Sequence, residues 1–396
     1  MGKKVTAQLD AVKVAASIVV AGGGLFALYL ATRRQQTQES ELKARHAELA
    51  QRDRVQAHTE QVAEANRVHA ERVADDNRAD AEARRVTDLF AKSVEQLGSD
   101  KAPVRLGGLY ALERLAQDNS HQRQTVVNVL CAYLRMPYTL PGDSDADNTD
   151  EQTRIRHDER VQEREVRLTA QRVLSAHLRP GDDSSKPVGT FWEETDLDLA
   201  GATLVDFDLA HCKLRRVKFD RASFFGETSF NNVVFEGTAL FDDAIFNDLV
   251  SFSEAKFVGV AGFACAAFDV VGLKKARFGH VAMFGSATFS EGVRFDEVIF
   301  ESDAWFRDAI FLGYVKFNRV SFGRFVEFGA VTFRNSIEFD ASVVRHRVPA
   351  RSSWPEKWRP SEQHGPIEGR EGTWHDLVIV DTDTSGDDHN GQVSPS

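Results

Sequence analysis

A large apolar residue returns at every fifth or sixth position from Leu199 to Phe339. Leu199, Leu204, Leu209, Leu214, Phe219 and Phe224 are spaced by five. The step then alternates between six and five through Phe230, Phe235, Phe241, Phe246, Phe252, Phe257, Phe263 and Phe268. Leu273 and Phe278 follow at plain steps of five, and alternation resumes from Phe284 to Phe339. The pattern has 27 positions, 22 of them Phe, out of 28 Phe in the chain. Two residues before each sits a second column, Ala or Val in 22 of the 27 places and never charged. Polar and charged residues fill most of the rest. A helix repeats near 3.6 residues and a strand at 2, so neither explains this spacing. A short fixed period over so many units predicts a solenoid, in which stacked coils bury a core that no single coil could bury.

A period of five, with a large apolar centre and a small residue two before it, resembles the pentapeptide-repeat family. The resemblance implies a mainly β fold: a right-handed, four-sided β-helix with the centre residue pointing inward and the small residue in the corner. The Phe-rich five-and-six form departs from the family's usual Ala-Asp/Asn-Leu unit, so the family does not fix the turn type. At about 21 residues per coil and about 4.8 Å between coils, 199–344 predicts about seven coils in a rod of about 33 Å. The inward rings should stack and fill the core, which places any function on the faces, loops or ends.

The pattern changes upstream. Val14–Ala31 is an uncharged run of 18 residues between Lys13 and Arg33–Arg34. After a short tail (1–10), the span 11–32 is long enough to cross a bilayer as a helix, with Tyr29 at an interfacial position. A signal peptide or a buried helix would share these features, but no small-x-small cleavage site precedes Arg33. The span therefore predicts a single-pass protein of the cell membrane. The Lys and Arg balance across the span, and three cysteines without paired spacing, place the C-terminal bulk in the cytoplasm.

Residues 33–85 hold no Pro and no Gly and predict a long helical stalk. Val62–Arg72 is echoed by Val73–Ala83, an 11-residue repeat that keeps a stripe nearly straight along a helix. The thin seam of Leu42, Leu49, Val55, Val62, Val68 and Val73 suits a coiled coil and self-association. A solvated helix held by i,i+4 charge pairs is the plainer reading.

Residues 86–139 predict a small helical module: Val86–Leu97 ending at Gly98, a second helix from Pro103, and a third carrying Val126 to Leu134. Its words Val94–Asp100, Val104–Ala116 and Val126–Arg135 resemble the helical module ahead of the repeats in membrane-anchored actinobacterial pentapeptide-repeat proteins. The resemblance spans roughly 86–339 and implies no catalytic residues. The module also resembles a HEAT-type helical pair, which would be an associating surface. An acidic linker (140–153) lacks the Gly and closing Glu of a calcium loop. An amphipathic helix (154–179) follows, then a cap (180–198) in which Phe191–Trp192 plug the first coil; an aromatic ligand site there is the alternative reading. After the solenoid, the tail 345–396 loses all period and is expected to be largely disordered, with Trp354 and Trp358 folding over the last coil.

Composition adds little chemistry. The net charge is −11. No Gly-rich phosphate loop, His-Glu-x-x-His, Gly-x-Ser-x-Gly or CxxC is present. His211–Cys212 is the one pair that suggests a nucleophile, but Cys212 falls on the inward small column. Asp242–Asp243, Asp296–Glu297 and Lys274–Lys275 read as solvated faces. No catalytic residue, cofactor or metal site is expected. The leading expectation is a non-enzymatic membrane-anchored scaffold that presents a rigid surface to an unknown protein partner. The alternative is a DNA-mimicking modulator of DNA gyrase, a topoisomerase. The solenoid's 21 acidic against 15 basic residues make a mixed surface, not an anionic stripe, and nucleic acid is not an expected partner. An enzyme housed in the helical module is the third reading.

Overall fold

The computed structural model describes residues 2–142, 150–183, 185–345, 351–367 and 370–380. The chain divides into two units, 1–85 and 86–396. The first is helical from Gly2 onward, as part of helix α1 (Gly2–Leu97). It includes one window apolar enough to cross a membrane, all of it exposed. Along the stalk, pairs such as Arg67 with Glu64 (2.7 Å) and Arg52 with Glu48 (2.8 Å) lie one turn apart. Each contributes a few tenths of a kcal/mol.

In the second unit the end of α1 packs with α2 (Ala102–Asp118), α3 (Arg123–Arg135) and α4 (Glu151–Leu178). Pro103 opens α2, where a missing N–H costs nothing. Helix α4 starts earlier than its apolar pattern, because the Asp150 carboxylate accepts the Thr153 amide at 3.1 Å as an N-cap. The acidic stretch 143–149, considered above for calcium, lies outside the described residues. Leu109, Leu112, Val126, Val127, Leu130, Leu134, Val166, Ala170 and Leu174 form the buried centre of the module, continuous with the solenoid core.

From Asp196 onward the chain is a parallel β-solenoid of about seven turns, to residue 344. Short strands stack in register on the coil before them. The step pattern sets the coil length. Four steps of five give Asp196 over Arg216; alternating fives and sixes give Ile245 over Ala267; the run of fives around Leu273 shortens the coil again, with Lys256 over Arg277. Each alternate five-residue step encloses a turn. Ala244 N donates to Phe241 O (3.1 Å), and Asp243 between them has φ 57°. The same left-handed corner recurs at Asn232, Glu254, Cys265, Lys275, Ser286, Glu297 and Asp308. A positive φ at the third residue is what a type II turn requires. Few of these corners are glycine, so the fold accepts the strain, about 1–2 kcal/mol for an L-residue, and offsets it by burying a ring on either side.

Inside, the rings form four columns. Phe219, Phe241, Phe263, Phe284, Phe306 and Phe328 stack at 4.8–5.1 Å, with interplanar angles of 2–16°. Phe224 to Phe333 and Phe235 to Phe322 make two more. The fourth, Phe230–Phe252 and Phe295–Phe317–Phe339, is interrupted by Leu273, in the shortened coil. Neighbouring columns meet edge to face, as Phe241 and Phe252 do at 5.7 Å and 88°. Stacked and edge-on pairs are each worth about 0.5–1.5 kcal/mol beyond area burial.

The tail departs from expectation. Trp358–Ile367 and Arg370–Ile379 form an antiparallel hairpin whose second strand pairs with Val343–Arg345. The acidic end, 381–396, lies outside the described residues. The hairpin's sequence lacks alternation and carries Pro360 and Pro366. Proline is tolerated there because the strand is the outermost one of its sheet. Trp354 packs on Phe322 and Phe328, and Trp358 on Phe339, closing the last coil.

Phe306→Ala should cost about 3–5 kcal/mol, read as a lower urea midpoint. Gly259→Ala should cost about 1–3 kcal/mol by overpacking, since a Cβ there would lie 2.4 Å from the Gly237 carbonyl oxygen, a backbone atom held in the coil below. Gly285→Ala, whose Cβ would meet nothing nearer than 3.7 Å, should leave the midpoint no lower.

Candidate interaction surfaces

A solenoid end exposes a row of unpaired backbone groups, which must be covered. Two glutamines of the helical module cover it here. Gln124 of α3 donates from Nε2 to Asp196 O and accepts the Asp196 amide at Oε1, both at 2.9 Å. Gln171 of α4 does the same for Val205, at 2.7 and 3.2 Å. Each primary amide takes the place of one residue of a missing strand. Ser175 Oγ donates to Asp208 O (2.5 Å) and Arg179 Nε to Ala210 O (2.9 Å). Arg135, Arg164 and Arg179 pair with Asp198, Asp206 and Asp208 at 2.6, 3.1 and 2.6 Å. Helix α4 therefore presents Arg164, Gln171 and Ser175, with Arg179 just past its end, spaced so that each meets the first coils.

Phe191 and Trp192 are both buried. Trp192 stacks on His177 at 4.1 Å and donates from Nε1 to Gln117 at 3.1 Å. His177 in turn bridges Glu113 (2.8 Å) and the Thr190 carbonyl (2.7 Å). These contacts fill the junction, leaving no open aromatic site at the pair. A second polar cluster lies between α2, α3 and α4. Glu163 there accepts Tyr133 (2.8 Å), Arg167 (2.8 Å) and Arg105 (3.1 Å), and Arg167 also donates to the carbonyls of Leu134 and Met136. Burial and the Glu163 carboxylate both push the Tyr133 phenol up, so it stays a donor. The cluster ties three helices together.

The motif residues of the solenoid fall in separate places. His211 sits at an exposed left-handed corner, while Cys212 is inside. Burial pushes the Cys131 and Cys212 thiols up to about 12. Cys265 is exposed at another corner. Asp242 is half-buried; its Oδ1 accepts the Ala264 amide of the next coil (2.8 Å), and burial, with Asp220 and Asp243 nearby, raises its pKa. Asp243, Lys274 and Lys275 are exposed at or beside corners, Glu297 is half-buried at one, and Asp296 accepts Asn318 Nδ2 at 2.9 Å. The structure keeps these residues on separate coils and corners. Among the described residues no His, Cys, Asp and Glu cluster could hold a metal.

Outward charges pair between neighbouring coils: Lys213 with Glu236 (2.8 Å), Arg307 with Glu327 (2.7 Å) and Arg319 with Glu297 (2.8 Å). Pairs this exposed contribute about 0–1 kcal/mol each. Their effect is to break the surface into alternating signs. Beside them lie exposed apolar residues, among them Ile245, Val258, Trp305 and Ile310. Sequence reasoning missed the glutamine caps. Their signal is a buried amide on the apolar face of α4, where Gln171 falls between Arg167 and Leu174.

A family model of pentapeptide repeats matches residues 209–256 and 273–321, in nine copies. The coils stacked in register, the inward rings and the small column beside them make this matched segment a pentapeptide-repeat β-helix, the class that the fold defines. Solenoids of this kind are interaction modules in architecture, with a filled interior and long outer faces. No curated protein and no solved structure matched the chain.

Gln124→Ala with Gln171→Ala should free the Asp196 and Val205 amides, read as faster hydrogen exchange at these two positions and a loss of about 1–3 kcal/mol per orphaned pair. In the native state only Cys265 should react with a maleimide at pH 7.5, against all three cysteines in urea, because thiols with pKa values near 12 stay protonated and buried. Asp196 adds a pH signature. Partial burial opposes its ionisation, but hydrogen bonds from Arg215 and Arg216 outweigh that and hold it at about 2. Its contribution is present above the unfolded value of 3.8 and lost as pH falls toward 2, so Asp196→Asn should flatten stability across pH 4 to 2 in acid titrations.

Proposed function

We propose that the chain is a non-enzymatic, membrane-anchored scaffold that holds a rigid interaction surface at the cytoplasmic side of the cell membrane. The observation that carries this is the filled interior: every inward position from Leu199 to Phe328 is buried against its neighbours, so the solenoid offers faces and no internal pocket. The exposed apolar window in α1 supports the anchor, with Arg33 and Arg34 just past its end. The stalk seam supports self-association, since Leu49, Val55 and Val62 are left exposed in the single chain.

The gyrase-modulating reading draws on the net acidic solenoid. The alternating ion pairs between coils count against it, since a duplex mimic needs a continuous anionic face.

The test has two arms. Alkaline extraction of membranes should leave the full chain in the pellet and release a form lacking residues 11–32; release of both would end the anchor reading. In-cell crosslinking of the full chain, against a form lacking 199–344, should show a stoichiometric protein that depends on the solenoid. If no such partner is found, the scaffold reading falls. If the partner is gyrase and its supercoiling is inhibited, the modulator takes its place.

A further inference from the structure

The hairpin at the end of the chain does more than extend a sheet. Its strand Arg370–Ile379 continues past the short strand it pairs with, since Trp374 lies opposite Arg345, the last residue of that strand. The overhang forms one wall of a cleft of about 790 Å3 against the solenoid face. That volume is in the range of small-ligand sites. The floor is the outward column of this face, Arg277, Ile299 and Ser321, stacked coil on coil.

Charge distinguishes the cleft from its surroundings. Three arginines line it, Arg277, Arg324 and Arg345, with His280 beside them. Two carboxylates oppose them, Glu301 and Glu371. The lining is therefore net positive by one, on a chain of net charge −11. Arg277 is already paired with Glu301. Arg324 is held only loosely, its nearest carboxylate Asp303 being 4.0 Å away, and its side chain is 68% exposed. Arg345 makes no ion pair among the described residues. Arg324 and Arg345 thus both present guanidinium groups at one opening. A guanidinium presents its N–H groups as a fork that fits the paired oxygens of a carboxylate or phosphoryl group.

The lining also holds apolar side chains and one unsatisfied hydroxyl. Trp374, whose Nε1 donates to Glu371 O at 3.2 Å, and Ile299 are each half-buried and make the apolar side of the lining. On the floor, the Ser321 hydroxyl is buried and has no hydrogen-bond partner. An orphaned buried hydroxyl is a cost the fold would not usually carry. A turn about its χ1 would offer it to an acceptor seated in the cleft.

We propose that this cleft is a binding site for a small oxyanion, a molecule bearing a phosphoryl or carboxylate group on an aromatic or apolar body. Arg324 and Arg345 grip the anion, and Trp374 and Ile299 hold the body. This goes beyond the scaffold reading and stands without it, because the cleft lies in the second unit alone.

The probes are phenyl phosphate, benzoate, inorganic phosphate and benzyl alcohol, titrated calorimetrically into the detergent-solubilised full chain. Phenyl phosphate or benzoate should bind saturably, more tightly than inorganic phosphate, and benzyl alcohol should not bind. Whichever of the two binds more tightly assigns the oxyanion. Arg324→Ala, at an exposed position that should not disturb folding, should weaken binding about tenfold or more, the scale of one charge-assisted hydrogen bond. Arg345→Ala should do the same. Arg334→Ala, an exposed arginine outside the cleft, should leave affinity unchanged. The proposal is overturned if no anion binds saturably below about 10 mM, or if affinity is the same in both cleft variants as in the parent chain.

Discussion

The match between the thickness of an aromatic ring stack and the spacing of β-coils is the constraint on which the rest of this structure depends. Backbone pairing sets neighbouring coils about 4.8 Å apart. The inward rings sit 4.5–5.4 Å from the ring above, so one ring per face per coil fills the interior with neither gap nor crowding. The small column follows from this. With four rings meeting at the axis, only Ala, Val or a residue of similar size fits beside them at most corners. The corners follow in turn, because the chain must bend sharply after alternate rings, and it does so through left-handed residues that only a well-packed core could hold in place.

The ends are where this logic stops, and each is closed by different chemistry. At the start, side-chain amides stand in for a strand, and arginines from two helices pair with the aspartates of the first coils. At the finish, tryptophans cover the last rings and an antiparallel strand extends one face. Helix α4 and the hairpin are thus as much a part of the β-helix as its coils.

The solenoid was legible because its signal is a count. The spacing of Phe and Leu, with the column two before, gives the inward positions, the number of turns and even the shortened coil at Leu273. The corner conformation was not legible, because left-handed residues here include Asp, Glu, Lys, Ser, Ala and Cys, with no glycine code to read. The hairpin was hidden for a related reason: its strands are polar, carry two prolines, and are held by the sheet edge they dock on more than by their own propensity. The burial of Cys212 was legible from its place in the column. The cleft was not, since Arg277, Arg324 and Arg345 are far apart in sequence and meet only once the coils and the hairpin are assembled.

The direction of the hydrogen bonds between coils has a mechanical consequence. They run along the solenoid axis, from each coil to the next. Tension applied to the two chain ends does not shear them all at once; it peels the outermost coil first. Resistance to stretching is therefore set by whichever end opens more easily, and the number of coils governs how much chain is paid out once it yields. Such a body is stiff against compression yet extensible under pull, and its threshold could be tuned at the glutamine-held end without altering a single ring of the interior.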